Sequence, residues 1–137
     1  MPLVDMSIEQ LFKYKGVSPC PKDIDEYWDA ALAEMNSVSH NAEFVKKEFP
    51  SKAADMYDLY YTGTKNARIH AKVAVPKNEK GKMPAVLMFH GLSGSSCEWS
   101  GLLKYASQGY VVAFMDVRGQ GGLSEDVGAV AGNTYTT

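Results

Sequence analysis

Five consecutive apolar residues, Ala85-Val86-Leu87-Met88-Phe89, run without a polar break into His90-Gly91-Leu92-Ser93-Gly94. No other stretch restricts the possible folds as much. A run of this length without alternation predicts a strand covered on both faces, as in a parallel sheet between helices. The glycine-bearing turn behind it predicts that the strand delivers a loop. Trp99, Leu102, Leu103 and Ala106 then recur at i, i+3, i+4 and i+7, with Gly109 as a stop, which is the spacing of a helix that buries one face. A second apolar run, Tyr110-Val111-Val112-Ala113-Phe114-Met115, ends in Asp116-Val117-Arg118-Gly119-Gln120-Gly121-Gly122. Strand, helix and strand make a βαβ unit whose two loops, residues 90–96 and 116–124, fall at the same carboxyl edge of the sheet. Open α/β sheets bind ligands at that edge, so the chemistry is expected there.

Upstream, Ser7-Ile8-Glu9-Gln10 has the form of a capping box, and Gly16 closes the short helix it opens. Asp23, with Glu26 three residues on, is a second N-cap signal. Tyr27, Trp28, Ala31, Leu32 and Met35 follow on one helical stripe, the pattern of a core or subunit contact. Three strands are expected next, over residues 43–49, 55–62 and 67–75. In the last, Ala67, Ile69, Ala71, Val73 and Val75 face one side while Arg68, His70 and Lys72 face the other. That alternation describes an antiparallel strand with one wet face, which makes His70 a solvent-side residue. Beyond Asp116 the periodicity lapses into a stretch punctuated by Gly119, Gly121, Gly122, Gly128 and Gly132 that reaches Thr137 without a closing element. Only two parallel strands are evident, so at least one sheet edge is expected to be unpaired. The expected class is α/β: a helical extension over residues 1–40, then antiparallel strands leading into a parallel sheet over residues 41–137. Together these make one incomplete domain.

With 137 residues, nearly half of them hydrophobic, the chain is long enough for a real core, and a formal charge of −2 offers no basic field for nucleic acid or polybasic anchor for a membrane. Asp5 and Glu9 interrupt the N-terminal stretch where a signal peptide needs its apolar core, so a cytoplasmic protein is expected. Cys20 and Cys97 are far apart and lack Cys-x-x-Cys spacing, which points to reduced thiols and away from a zinc site. Cys97 stands near the start of the predicted helix with no histidine beside it and is read as structural.

Three chemistries compete for residues 90–96. A phosphate loop needs glycine and lysine where this chain has Ser96 and Cys97. A nucleophile elbow needs glycine where Gly91-Leu92-Ser93-Gly94-Ser95 has Ser95. Moreover the only histidines, His40, His70 and His90, all precede Ser93, whereas the hydrolase order places the histidine last. A His-Gly turn after an early strand fits the third role, a backbone N–H donated to an oxyanion hole. Gly119-Gln120-Gly121 lacks the third glycine and the helix of a dinucleotide loop. Arg118 there suits a structural part, since its planar donors can tie neighbouring loops through carboxylates and carbonyls.

Met1-Pro2-Leu3-Val4-Asp5-Met6, Pro19-Cys20-Pro21, Asp25-Glu26-Tyr27-Trp28, Ala67-Arg68-Ile69-His70-Ala71-Lys72, Phe89-His90-Gly91 and Met115-Asp116-Val117-Arg118-Gly119-Gln120-Gly121-Gly122 together resemble the acetyl xylan esterase and cephalosporin C deacetylase family, carbohydrate esterase family seven. The resemblance spans essentially the whole chain and corresponds to the amino-terminal part of that family's α/β-hydrolase domain. It implies a cofactor-free serine carboxylesterase acting on short acetyl esters of xylo-oligosaccharides and of cephalosporins, and a homo-oligomer for the full-length form. Of the family's three motifs, Arg-Gly-Gln is present as Arg118-Gly119-Gln120, while Gly-x-Ser-Gln-Gly with the nucleophile and His-Glu with the base are not found in these residues. By the same resemblance His90, Gly91 and Leu92 contact substrate, the Leu92 amide is an oxyanion donor, and Asp116, Arg118, Gly119 and Gln120 are motif residues. The family usually carries tyrosine after His-Gly; Leu92 keeps the amide and loses the ring. The expectation is therefore an N-terminal fragment of an esterase, inactive alone, with a shortened binding or assembly module as the alternative.

Overall fold

The computed structural model describes residues 5–77 and 79–127. The chain divides into two compact units, Met1–Ala33 and Glu34–Thr137. The first contains α1 (Ile8–Leu11) and most of α2 (Ile24–Ser37). Ser7 caps α1 as its spacing predicts: the hydroxyl accepts the Gln10 N–H at 3.4 Å, and the Ser7 N–H donates to Gln10 Oε1 at 3.1 Å. Along α2, Tyr27 and Trp28 meet edge to face, but Tyr27, Trp28, Leu32 and Met35 are all exposed. The stripe marks the helix correctly and enters no core formed by the described residues.

In the second unit a five-stranded sheet runs in the order β1-β2-β3-β5-β4, built from β1 (Glu43–Lys47), β2 (Ala54–Thr62), β3 (Arg68–Pro76), β4 (Ala85–Phe89) and β5 (Val111–Met115). The first three strands pair antiparallel, β5 joins β3 antiparallel, and β4 joins β5 in parallel. Lys65 and Asn66 make the β2–β3 turn with φ of 55° and 57°, a left-handed pair that Asn tolerates better than most residues. Between β4 and β5 lies α3 (Trp99–Ala106), followed by Gly109 at φ +88°. Leu102 and Ala106 from α3 pack against Ala54, Met56, Ala74, Val112 and Phe114 of the sheet. Burial of a leucine-sized side chain in such a layer contributes about 1.5–3 kcal/mol.

Two sequence expectations are corrected here. β4 is not covered on both faces: Leu87 and Phe89 are 61% and 58% exposed, while Val86 and Met88 pack on the core under α3. The reason is that α3 packs on one face only, over Val86 and Met88, and no described residue covers Leu87 and Phe89 on the other; β4 also closes the sheet order, with one strand neighbour among the described residues. The alternation in β3 assigns the faces correctly but not their exposure, because the face bearing His70 is also buried. Ala54, Met56, Ala74, Val112 and Phe114 line that face toward α3. Asp58, His70 and Asp116 continue it toward the loop edge. The residues 128–137, including Gly128 and Gly132, and the first four residues lie outside the described part.

Candidate functional site

The parallel register sets Phe89 beside Met115, so the chain leaves both strands at one sheet edge, as the βαβ reading predicts. Side-chain-to-backbone hydrogen bonds then fasten the two loops together. His90 Nε2 accepts the Val117 N–H at 2.9 Å, Gln120 Oε1 accepts the Ser93 N–H at 2.7 Å, and Asp116 Oδ1 accepts the Ser96 N–H at 2.5 Å. A ring nitrogen that accepts carries no proton, so His90 has its proton on Nδ1, which donates to the Gly91 carbonyl at 2.8 Å. Both nitrogens of His90 are thereby engaged, which makes it a brace and leaves it unsuited to serve as a base for Ser93. The two loops also meet backbone to backbone: a Cβ on Gly121 would stand 2.7 Å from the Gly94 carbonyl oxygen, so only glycine permits this approach.

At the apex of the first loop the Leu92 side chain is 79% exposed, and its N–H makes no hydrogen bond to a described residue. Gly91 is exposed beside it, and the Gly94 N–H closes the turn on the Gly91 carbonyl at 3.0 Å. Ser93 adopts φ +61°, a left-handed conformation that places the turn's bend directly after Leu92. Arg118 takes the structural part foreseen for it. Its Nη1 donates to the carbonyl and hydroxyl of Thr64 at 3.2 and 2.9 Å, and its Nη2 lies 3.5 Å from Asp126, tying the second loop to the β2–β3 turn. Gly119 and Gly122 have φ of +67° and +102°, and a Cβ at Gly122 would overlap the Asp116 carboxyl. The loop can fold back over Asp116 because that position has no side chain.

Sequence reasoning placed His70 in solvent; it is 1% exposed and lies between two carboxylates. Nδ1 is 2.6 Å from Asp116 Oδ2 and Nε2 is 3.1 Å from Asp58 Oδ1, whose other oxygen takes Lys47 at 2.8 Å. The loop after β5 covers this face: Ser124 Oγ accepts the His70 N–H at 2.9 Å and donates to the Asp116 carbonyl at 2.6 Å. Both ring nitrogens thus lie within hydrogen-bond distance of a carboxylate oxygen. Burial alone would raise the Asp116 carboxyl, but the Ser96 and Leu123 N–H groups and the His70 ring hold it below the ordinary carboxylate value. Burial likewise opposes ionisation of Asp58, and Lys47 and His70 outweigh it. A sequence signal existed for this cluster: Asp58 falls in phase with Ala54 and Met56 on the buried face of β2, an unusual place for a carboxylate without a partner.

Both depressed carboxyls contribute stability that is fully present above the ordinary aspartate value, about 4, and is lost as pH falls through their lower folded values. The thermal midpoint is therefore expected to fall steeply below about pH 4. Asp58→Asn is expected to flatten that slope in a pH series followed by circular dichroism; an unchanged slope would remove Asp58 from the account.

Burial pushes the Cys97 thiol up, consistent with a structural cysteine. Among the described residues no group of three His, Cys, Asp or Glu side chains is arranged to hold a metal ion, and no helix is long and apolar enough to cross a membrane. A pocket of about 260 Å³, lined by Met35, Val38, Tyr61, Ile69, Met115 and Arg118 among others, is mostly apolar.

The acetyl xylan esterase (AXE1) family model matches residues 1–137. The chain is similar to acetyl xylan esterase 1 from Thermoanaerobacterium sp. JW/SL YS485, with 50% identity and a TM-score of 0.86 over 97% of this chain and 42% of that one. It is also similar to the acetyl xylan esterase from Paenibacillus sp. R4, with 34% identity and a TM-score of 0.79 over 90% of this chain and 40% of that one. The chain thus spans about two-fifths of the length of these relatives. The family match along the full chain and the likeness of fold lead to one conclusion: the chain belongs to the acetyl xylan esterase family.

Proposed function

We propose that these residues form the oxyanion side of a serine carboxylesterase that removes acetyl groups from short esters of xylo-oligosaccharides, with acetylated cephalosporins as a second substrate class. The observation that carries the reading is the exposed Leu92 turn, braced to the second loop by His90, Gln120 and Asp116. In this reading the nucleophile, base and acid come from residues beyond these 137, and the full-length form is a homo-oligomer that needs no cofactor. The serine oxygen adds to the acetyl carbonyl while the histidine takes its proton. The Leu92 N–H and the N–H after the nucleophile receive the developing oxyanion. Collapse of the tetrahedral intermediate expels the sugar hydroxyl with the proton returned by the histidine, and water repeats the sequence on the acyl-enzyme.

Substitutions at Leu92 in the full-length enzyme test the donor role. Leu92→Ala keeps the main-chain N–H and is expected to lose less than about tenfold in kcat, against the roughly 10²–10³-fold that follows removal of a donor. Leu92→Tyr is expected to shift the preference between acetyl and longer acyl esters, because the ring narrows the space beside the carbonyl. Loss of all turnover in a folded Ala variant would count against a backbone role for this residue.

A further inference from the structure

We propose that His70 is a positioning residue for the oxyanion edge, acting through Asp116 on the turn that carries Leu92. The inference rests on the proposed donor role of Leu92 and goes beyond it to what holds that donor still.

The Asp116 carboxylate is the point where both loops are fastened. One oxygen receives the Ser96 N–H from the end of the first loop, and the other receives the Leu123 N–H, at 3.0 Å, from the second. The His70 contact at 2.6 Å fixes the rotation of that carboxylate, and His70 itself stands on β3, which is paired on both sides by β2 and β5. Every charged or polar group that faces the ring serves the same orientation. Asp58 holds the far nitrogen, Lys47 holds Asp58, the Tyr60 ring lies against the imidazole with centroids 5.0 Å apart, and Ser124 holds the His70 backbone. An apolar side chain could fill this volume without the desolvation of two carboxylates and an imidazole, so stability alone gives little reason to bury them. Orientation does. Leu92 lies between His90 and Ser93, whose N–H Gln120 holds, and Asp116 fastens the far end of the same loop at Ser96; releasing that end loosens the loop behind Ser93 and, through it, the position of the Leu92 N–H. A displacement of about 1 Å at a reacting group is enough for roughly 10²-fold in rate.

Two substitutions separate this role from simple support. Asparagine places an amide nitrogen the same number of bonds from Cα as Nδ1, so His70→Asn retains the donor to Asp116 and gives up Asp58. Glutamine matches Nε2 in the same way, so His70→Gln retains the reach to Asp58 and gives up Asp116. Both remove one of the two ring contacts and both are expected to lower stability. In the full-length enzyme, His70→Asn is expected to keep kcat within about tenfold, whereas His70→Gln loses roughly 10²-fold in kcat with KM changed by less than about threefold, because the oxyanion contact is made in the transition state. Amide hydrogen exchange in a peptide covering residues 90–97 is expected to accelerate in the Gln variant and not in the Asn variant.

Equal losses of kcat in the two variants, or equal exchange in that peptide, would overturn the proposal. An inactive parent enzyme would refute the esterase reading, and the exchange comparison would still decide this one. If neither variant folds, Ser96→Pro removes the N–H that Asp116 receives and leaves His70 in place. It is expected to reproduce the kinetic loss, and parental kcat in that variant would overturn the role.

Discussion

Asp116→Ala is expected to cost about 3–5 kcal/mol of folding free energy, the range seen when one partner of a buried ion pair is removed. Three donors lose their acceptor at once: the His70 ring and the Ser96 and Leu123 N–H groups. Two of them belong to buried residues, His70 and Ser96, and the carboxylate they face is itself buried. The ring would then keep only its contact with Asp58. Against an ordinary domain stability of about 5–15 kcal/mol, that loss brings the variant close to unfolding at moderate temperature. Asp116→Asn is expected to fall between, because one oxygen remains as an acceptor while the amide NH₂ replaces the other and faces a donor. Urea denaturation of the three proteins gives the comparison, and a shift of less than about 1 kcal/mol for the Ala variant would mean that the cluster is solvated or replaceable.

The 137-residue polypeptide by itself is expected to hydrolyse p-nitrophenyl acetate no faster than a protein with no active site. Ser93 stands at the bend of the first loop, and nothing there activates it: both ring nitrogens of His90 are engaged with backbone, and His70 is buried between its carboxylates. An oxyanion hole and binding groups left without a triad still give roughly 10³–10⁴-fold over water, but that figure requires the whole hole, and here Leu92 supplies at most one donor. The same polypeptide is expected to elute above its monomer mass in gel filtration, because β4 presents Leu87 and Phe89 beside an edge with one strand neighbour among the described residues. Sustained turnover abolished by Ser93→Ala would overturn this expectation and make Ser93 the nucleophile.

The elements that could be read from the sequence are those whose signal is local. Trp99, Leu102, Leu103 and Ala106 gave α3, with Leu102 and Ala106 as its buried positions, and the two apolar runs gave β4 and β5 with their loops at one edge. Ser7 and Gln10 gave the cap of α1 because the capping box closes within three residues. The His70 cluster could not be read in the same way. Its partners Asp58 and Asp116 lie 12 and 46 residues away, and a period of two tells which residues share a face without telling what covers it. Arg118 was legible as a tie between loops, but its anchor at Thr64, 54 residues back, was not. The exposure of Leu87 and Phe89 escaped for a related reason: an apolar run records a strand's eventual neighbours, and these residues alone do not provide them on both sides.

The distance along the chain between His70 and Asp116 also sets an order of events as the protein folds. β1, β2 and β3 are joined by short turns and pair with their sequence neighbours, so their contacts close small loops and form early. The contact between His70 and Asp116 closes a loop of 46 residues, and it needs β5 already seated between β3 and β4. Residues 90–96 therefore acquire their final shape among the last parts of the chain to settle. A nascent or partly unfolded chain has its hairpins before it has the braced Leu92 turn, and that edge takes its shape only when the sheet behind it is complete.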